Sequence, residues 1–192
     1  EAESAFVKAS AIAVRLGGEP LFVTSNNLGE LRLRRSDARG AVEIFEGVRG
    51  GSLKGVQQDQ VGLLYHNLGS AYKATGELDK AMEWLRKGLA INLGEKLYEE
   101  AAADYYMIAS VYSKQGDYGS AATNAELALE NDKRVENALG VTKDLLALGL
   151  IASRAGNAEA AYGYFERSHL AATALGSTAD IRSALDGLIA SG

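Results

Sequence analysis

The chain contains 192 residues, of which 47% are apolar and 23% are charged, and its formal net charge is −5 at pH 7. This composition can form a continuous apolar core beneath a soluble surface. The negative charge argues against a protein that binds nucleic acid, because such a protein needs a basic face. Cysteine is absent, which excludes disulfides, thiolate metal ligands and cysteine nucleophiles.

No apolar stretch approaches the length of a membrane span, so we expect no membrane insertion. The longest stretch has eight residues, Leu145 to Ala152. The chain begins at Glu1 without a methionine and shows no signal peptide. The start and the lack of cysteine fit a cytoplasmic protein and equally an exported or periplasmic fragment of a longer one. The compartment is therefore unknown at this point.

Residue types recur along the chain at an interval of 40 residues. An apolar residue on a predicted first helix is followed by a small residue, which lets a second helix approach closely. Glycine then ends the first helix, since it accepts the left-handed conformation of a C-cap. The apolar column is Leu28, Leu68, Ile108 and Leu148, the small column is Gly29, Gly69, Ala109 and Gly149, and the capping glycines are Gly76, Gly116 and Gly156.

Apolar residues between these markers follow a three-to-four rhythm, which is typical of helices. The pattern predicts helix pairs in four repeats, preceded by part of a repeat and followed by a capping helix. In chain order the predicted segments are 1–16, the second helix of a partial repeat; 17–56, with helices at 21–35 and 37–49; 57–94, with helices at 57–75 and 77–92; 95–132, with helices at 95–115 and 117–131; 133–176, with helices at 134–155 and 157–175; and 177–192, the capping helix. Together they predict a single domain over 1–192.

The second repeat carries the most specific sequence pattern. Tyr65, Leu68, Gly69 and Tyr72 on its first helix, with Ala81 after the turn, resemble the tetratricopeptide repeat. The 40-residue period and the triplets Asn27-Leu28-Gly29 and Asn67-Leu68-Gly69 resemble the long repeats of the kinesin light chain and of cell-polarity adaptors. The resemblance implies an all-α fold, a right-handed α-solenoid of antiparallel helix pairs. Arg32 and Ala152 differ from this pattern, because the second and third repeats carry Tyr72 and Tyr112 at the equivalent position.

In a fold of this kind the first helices line a concave surface on which repeat proteins bind partners. Asn27 and Asn67 are the leading candidates, because an amide can both donate to and accept from a peptide backbone, and the resemblance implies that role. The alternative is that each asparagine bonds within its own repeat. The predicted groove comprises Asn27, Glu30, Arg34, His66, Asn67, Ser70, Lys73, Tyr106, Met107, Ser110, Lys114, Lys143, Leu150 and Arg154.

A basic row lies near the ends of successive first helices, formed by Arg34, Lys73, Lys114 and Arg154. The row could attract an acidic segment or a C-terminal carboxylate. Cations at helix C-termini are also favoured by the helix dipole alone, so this structural explanation stands beside the functional one. Tyr106, Met107 and Leu150 could form an apolar floor of the groove or belong to the interior.

Nothing in the sequence indicates catalysis, a metal or a cofactor. His66 and His169 are the only histidines and lie far apart in the chain. The run from Gly50 to Gly55 lacks the ending of a phosphate-binding loop. We therefore predict a non-enzymatic scaffold or adaptor that binds a protein or peptide. The alternatives are the ligand-sensing domain of a multidomain regulator, and a structural module that self-associates weakly through its end helices, involving Phe6 or Ile12.

Overall fold

The computed structural model describes Lys8, residues 18–50, Leu53 and residues 55–191. Every regular element within these residues is an α-helix, as the sequence predicts. The helices are α1 Gly18–Arg34, α2 Ala38–Gly50, α3 Gln58–Thr75, α4 Leu78–Gly94, α5 Tyr98–Gln115, α6 Tyr118–Arg134, α7 Ala138–Arg154, α8 Ala158–Leu175 and α9 Thr178–Ser191.

The packing of Cα atoms divides the chain into two compact units, unit 1 (Glu1–Lys96) and unit 2 (Leu97–Gly192). The described part of unit 1 contains the hairpins α1–α2 and α3–α4. Unit 2 contains the hairpins α5–α6 and α7–α8, and α9 packs against α8. The predicted helix over 1–16 and the predicted contacts of Phe6 and Ile12 lie outside the described residues. The single domain and its repeat boundaries stay predictions.

Within each hairpin the two helices are in closest contact at the small residue of the first helix, which is Gly29, Gly69, Ala109 or Gly149 in the four repeats. A methyl group added at Gly149 would lie 2.6 Å from Cδ1 of Phe165, and one added at Gly29 would overlap the ring of Phe45. Glycine at these positions therefore makes room for a large side chain of the second helix. The predicted close approach of paired helices is confirmed.

Residues in the left-handed conformation end several helices. Gly76, at φ 89°, follows α3, and the N–H of Glu77 donates to the carbonyl oxygen of Tyr72 at 2.9 Å. Lys96 and Glu136, at φ 61° and 56°, adopt the same conformation in the turns after α4 and α6. These two turns set the start of the next helix, so α5 begins at Tyr98 and α7 at Ala138. Both starts are three to four residues later than predicted.

The first described helix begins at Gly18, three residues before the predicted start. Pro20 lies in its first turn, where a missing backbone N–H removes no intrahelical hydrogen bond. Across the described stretches, none of the helices combines the length and apolar character needed to cross a membrane.

Candidate functional site

A pocket of about 160 Å³ opens in unit 2 between α5 and α7, the first helices of two successive hairpins. Four of the predicted groove residues line it together: Tyr106 and Ser110 from α5, and Leu150 and Arg154 from α7. Helical spacing explains the grouping, because residues four apart on one helix lie on the same face. The remaining lining residues are Ala109, Ser113, Ala147 and Ile151.

The pocket has an apolar body and one basic end. Tyr106 and Leu150 are 37% and 44% exposed, although both carry large apolar surfaces. Arg154 is the last residue of α7, and its Nη1 donates to Oγ of Ser113 on α5 at 2.9 Å. This bond crosses from one first helix to the next and holds the guanidinium beside the apolar surface. Arg154 makes no ion pair with any residue that the structure describes.

The hydroxyl of Tyr106 stays protonated at neutral pH. Burial and the charge of the Asp144 carboxyl raise the pKa of Tyr106 above its ordinary value. A neutral tyrosine can donate its hydrogen to an acceptor on a ligand. The pocket therefore offers hydrogen-bond donors at both Tyr106 and Arg154.

Two buried carboxyl groups lie at the α6–α7 contact in the same unit. The carboxyl groups of Asp132 on α6 and Asp144 on α7 lie close enough to interact electrostatically, and Nδ2 of Asn137 donates to Oδ1 of Asp132 at 2.9 Å. Burial, followed by the charge of Asp132, raises the pKa of Asp144 to about 8. The pair therefore holds one proton at neutral pH, because two adjacent buried carboxylates repel each other.

The first-helix face of unit 1 is organised differently. Asn27, Glu30 and Arg34 line a pocket of about 190 Å³ together with Leu31, and all four belong to α1. Nη2 of Arg34 lies 2.6 Å from Oε1 of Glu30, one turn earlier in the helix. The positive charge of Arg34 is therefore already paired with a carboxylate of the same helix.

Asn67 does not present its side chain to the surface. It is 7% exposed, and its Nδ2 donates to Oδ1 of Asn26 on α1 at 3.1 Å. This bond joins the first helices of two successive repeats, as Ser113 and Arg154 do in unit 2. Its binding role stays a prediction, but a ligand would have to displace part of this internal contact. Asn27, in contrast, is exposed.

The remaining predicted residues are distributed along the first helices without lining either pocket. His66, Ser70 and Lys73 are half-buried on α3, and Met107 is half-buried on α5. Lys114 at the end of α5 and Lys143 on α7 are exposed. The structure thus brings together Tyr106, Ser110, Leu150 and Arg154, and separately Asn27, Glu30 and Arg34.

The sequence prediction missed Ser113, which positions Arg154. The predicted groove took Lys114 from the end of α5, whereas Ser113 is the residue that lies 40 positions after the predicted Lys73. That register position, together with the spacing of three residues from Ser110 along α5, would have been a usable signal for Ser113. The described residues contain no group of three or more histidine, aspartate or glutamate side chains that could hold a metal ion.

The comparisons with known proteins agree with the predicted resemblance. Residues 60–134 match the sequence model of the tetratricopeptide repeat. The fold is similar to that of BtubC (BKLC) from P. vanneervenii, with a TM-score of 0.81 and 21% identity, over 99% of this chain and 80% of that one. It is also similar to the nearly identical TPR-like repeats of a Podosopora anserina protein of the kinesin light chain type, with a TM-score of 0.65 and 17% identity over 88% of this chain and 93% of that one.

A Rap protein complexed with Competence and Sporulation Factor has a similar fold, with a TM-score of 0.79 and 14% identity. The similarity covers 93% of this chain and 50% of the Rap chain. No curated protein matches the sequence. The repeat pattern, the hairpins and these similarities agree: the fold is that of tetratricopeptide-type repeat proteins, and the sequence match itself covers residues 60–134.

Proposed function

We propose that the chain is a non-catalytic scaffold or adaptor that binds a protein or peptide on the first-helix faces of its repeats. The observation that supports this most is the pocket in unit 2, which is lined by four of the residues that the repeat register predicted for the groove. Exposed aromatic and apolar side chains next to an arginine are typical of the residues that contribute most to protein interfaces. In a multidomain regulator the same surface would serve as a ligand-sensing site.

The arrangement of α5 and α7 suits an extended ligand. The two helices belong to successive hairpins, so a chain lying across them contacts side chains from both. Repeat proteins bind in this manner on the surfaces formed by stacked repeats. The Rap protein of similar fold, which was crystallised with Competence and Sporulation Factor, supports the same general use.

An acidic segment of the partner would bind mainly to unit 2 under this proposal. The predicted basic row is uneven, since Arg34 is paired with Glu30 at 2.6 Å whereas Arg154 bonds the neutral Ser113. A carboxylate near Arg34 has to compete with the existing ion pair. A carboxylate near Arg154 does not have to displace an acidic side chain of any of the described residues of unit 2.

The test is quantitative partner capture with the full chain immobilised, comparing Leu150→Ala/Arg154→Ala with a matched control, Leu175→Ala/Arg182→Ala. Leu175 is 45% exposed, close to the 44% of Leu150, but lies on the second helix α8. Proteins captured by the wild type and the control should be depleted on the first variant. Equal capture by all three proteins would overturn the proposal.

Self-association through α9 is a second candidate, because this helix exposes apolar surface. Ile189 is 81% exposed and Leu185, one turn earlier, is also exposed. We expect light scattering to show a concentration-dependent mass that Ile189→Glu reduces to the monomer value. A monomer at high concentration in the wild type would exclude this candidate.

A further inference from the structure

We infer that the pocket between α5 and α7 binds a peptide segment that presents a large apolar side chain next to a carboxylate group. This inference rests on the proposed function and names the ligand chemistry of one site. It follows from the pocket's size, from the division of its lining into an apolar and a basic part, and from the way Arg154 is held.

The size of the pocket favours a side chain over a whole small molecule. Its volume of about 160 Å³ is well below the ~300–1,000 Å³ of pockets that enclose small-molecule ligands. Ala109 and Ala147 supply a floor of small apolar residues, and Tyr106 and Leu150 supply two exposed apolar walls. Filling this space with an aliphatic or aromatic side chain removes apolar surface from water on both partners.

The basic end of the pocket favours a carboxylate. The guanidinium of Arg154 carries five N–H donors, and the bond from Nη1 to Ser113 occupies one of them. The serine restricts the arginine without neutralising it, which lowers the entropy lost when a ligand binds. Arginine binds carboxylates through charge-assisted hydrogen bonds.

The other groups around the pocket are compatible with an anionic ligand. The residues that line it include no acidic side chain. Asp144 is not among the lining residues and is 2% exposed, and burial, followed by the charge of Asp132, raises its pKa to about 8, so this carboxyl group is mostly protonated at neutral pH. Tyr106 remains a neutral hydrogen-bond donor. A carboxylate in the pocket therefore meets two donors and little opposing charge.

We assign the carboxylate to the C-terminus of the peptide, and an internal glutamate side chain is the alternative that the test distinguishes. The probes are four acetylated tetrapeptides: Gly-Gly-Gly-Leu with a free C-terminus, the same peptide as its amide, Gly-Leu-Glu-Gly amide, and Gly-Gly-Gly-Gly with a free C-terminus. Each is titrated into the full 15N-labelled chain, and the backbone amide shifts of α5 and α7 report binding. Tighter binding of the first peptide or of the third identifies the source.

We expect the free-acid leucine peptide to bind roughly 5- to 10-fold more tightly than its amide, as a charge-assisted contact at a partly exposed site provides. Arg154→Gln should reduce this ratio to about one by removing that contact. Leu150→Ala should weaken both leucine peptides, whereas Leu175→Ala and Arg182→Gln should leave every titration unchanged. Thermal unfolding of each variant checks that the fold is retained.

Two results would overturn the inference. One is equal binding of every peptide with and without a carboxylate, and the other is an acid-to-amide ratio that persists in Arg154→Gln. If either occurs while the shifts still fall on α5 and α7, this inference fails and the proposed function of the face is retained. Shifts confined to other helices would contradict both.

Discussion

Side-chain volumes are matched between the two helices of a pair. Gly29, Gly69 and Gly149 on first helices face Phe45, Leu85 and Phe165 on second helices. The equivalent residues of the third repeat are Ala109 and Ala125, which belong to one buried cluster. Where the first helix carries alanine, the second helix carries a small residue, so the total volume at the contact is limited.

This matching predicts opposite effects of the same substitution at two helical glycines. Gly149→Ala places a methyl group 2.6 Å from Phe165, and overpacking should lower the free energy of unfolding by about 1–3 kcal/mol. Gly163→Ala on α8 meets nothing within 4 Å, and the better helix propensity of alanine should stabilise by about 0.5–1 kcal/mol. Urea unfolding followed by circular dichroism measures both. Equal effects would refute the packing argument.

The carboxyl pair at the α6–α7 contact links stability to pH. The pKa of Asp144 is about 8 in the folded chain against an ordinary value of 3.8. Between these two values the folded state therefore holds a proton that the unfolded state has released. The free energy of unfolding falls as the pH rises through this window, and the contribution is constant above it.

Replacing Asp144 by asparagine removes this proton linkage. We expect Asp144→Asn to be more stable than the wild type at pH 8 by on the order of 2 kcal/mol, and the difference to shrink toward pH 5. Asp144→Ala should lose the same pH dependence while being less stable overall, because it leaves a cavity. Urea unfolding at several pH values tests this. A wild-type slope in both variants would contradict the shared proton.

Helix ends are formed by different chemistry at different turns. Asp117, Asn137 and Asn157 accept hydrogen bonds from backbone N–H groups in the first turns of α6, α7 and α8. Glu77, at the equivalent place before α4, makes no such bond and pairs with Lys80 at 2.7 Å. Side-chain caps are therefore present at Asp117, Asn137 and Asn157, whereas an ion pair is found at Glu77.

The backbone conformation of the turn after α6 indicates that a glycine substitution there would stabilise the fold. Glu136 has φ 56°, a conformation that costs a non-glycine residue free energy. Glu136→Gly should therefore raise the free energy of unfolding by about 1 kcal/mol. Glu130→Gly, inside α6, should lower it by about the same amount because glycine is a poor helix former. Thermal melting of the two variants distinguishes them, and destabilisation by Glu136→Gly would contradict the turn assignment.

The charge of the molecule as a whole limits its partners. The net charge of −5 opposes association with the phosphate backbone of nucleic acids, which depends on neutralisation by basic residues. We predict that the full chain causes no change in the fluorescence anisotropy of a labelled DNA duplex at about 0.15 M salt. A salt-dependent increase would contradict this prediction.

Each compact unit contains complete helix hairpins, so the hairpin is the repeating structural element of the chain. The sequence predicted these hairpins, because each of them buries the same helix faces and small, apolar and capping residues therefore recur every 40 positions. Four of the seven predicted groove residues of unit 2 line one pocket. Their use in binding remains a proposal.

Periodicity in the sequence was therefore sufficient for the helices, their pairing and the resemblance to the tetratricopeptide repeat, since those features depend on neighbours within one repeat. Contacts between repeats were decided only by the tertiary structure. Asn67 meets Asn26, and Arg154 meets Ser113, across 41 residues in each case. Asp132 meets Asp144 only when α6 and α7 pack together. The 40-residue interval predicts on which face of its helix a residue lies. The burial of that residue, its hydrogen bonds and its protonation state depend on the side chains of the neighbouring helices that contact it.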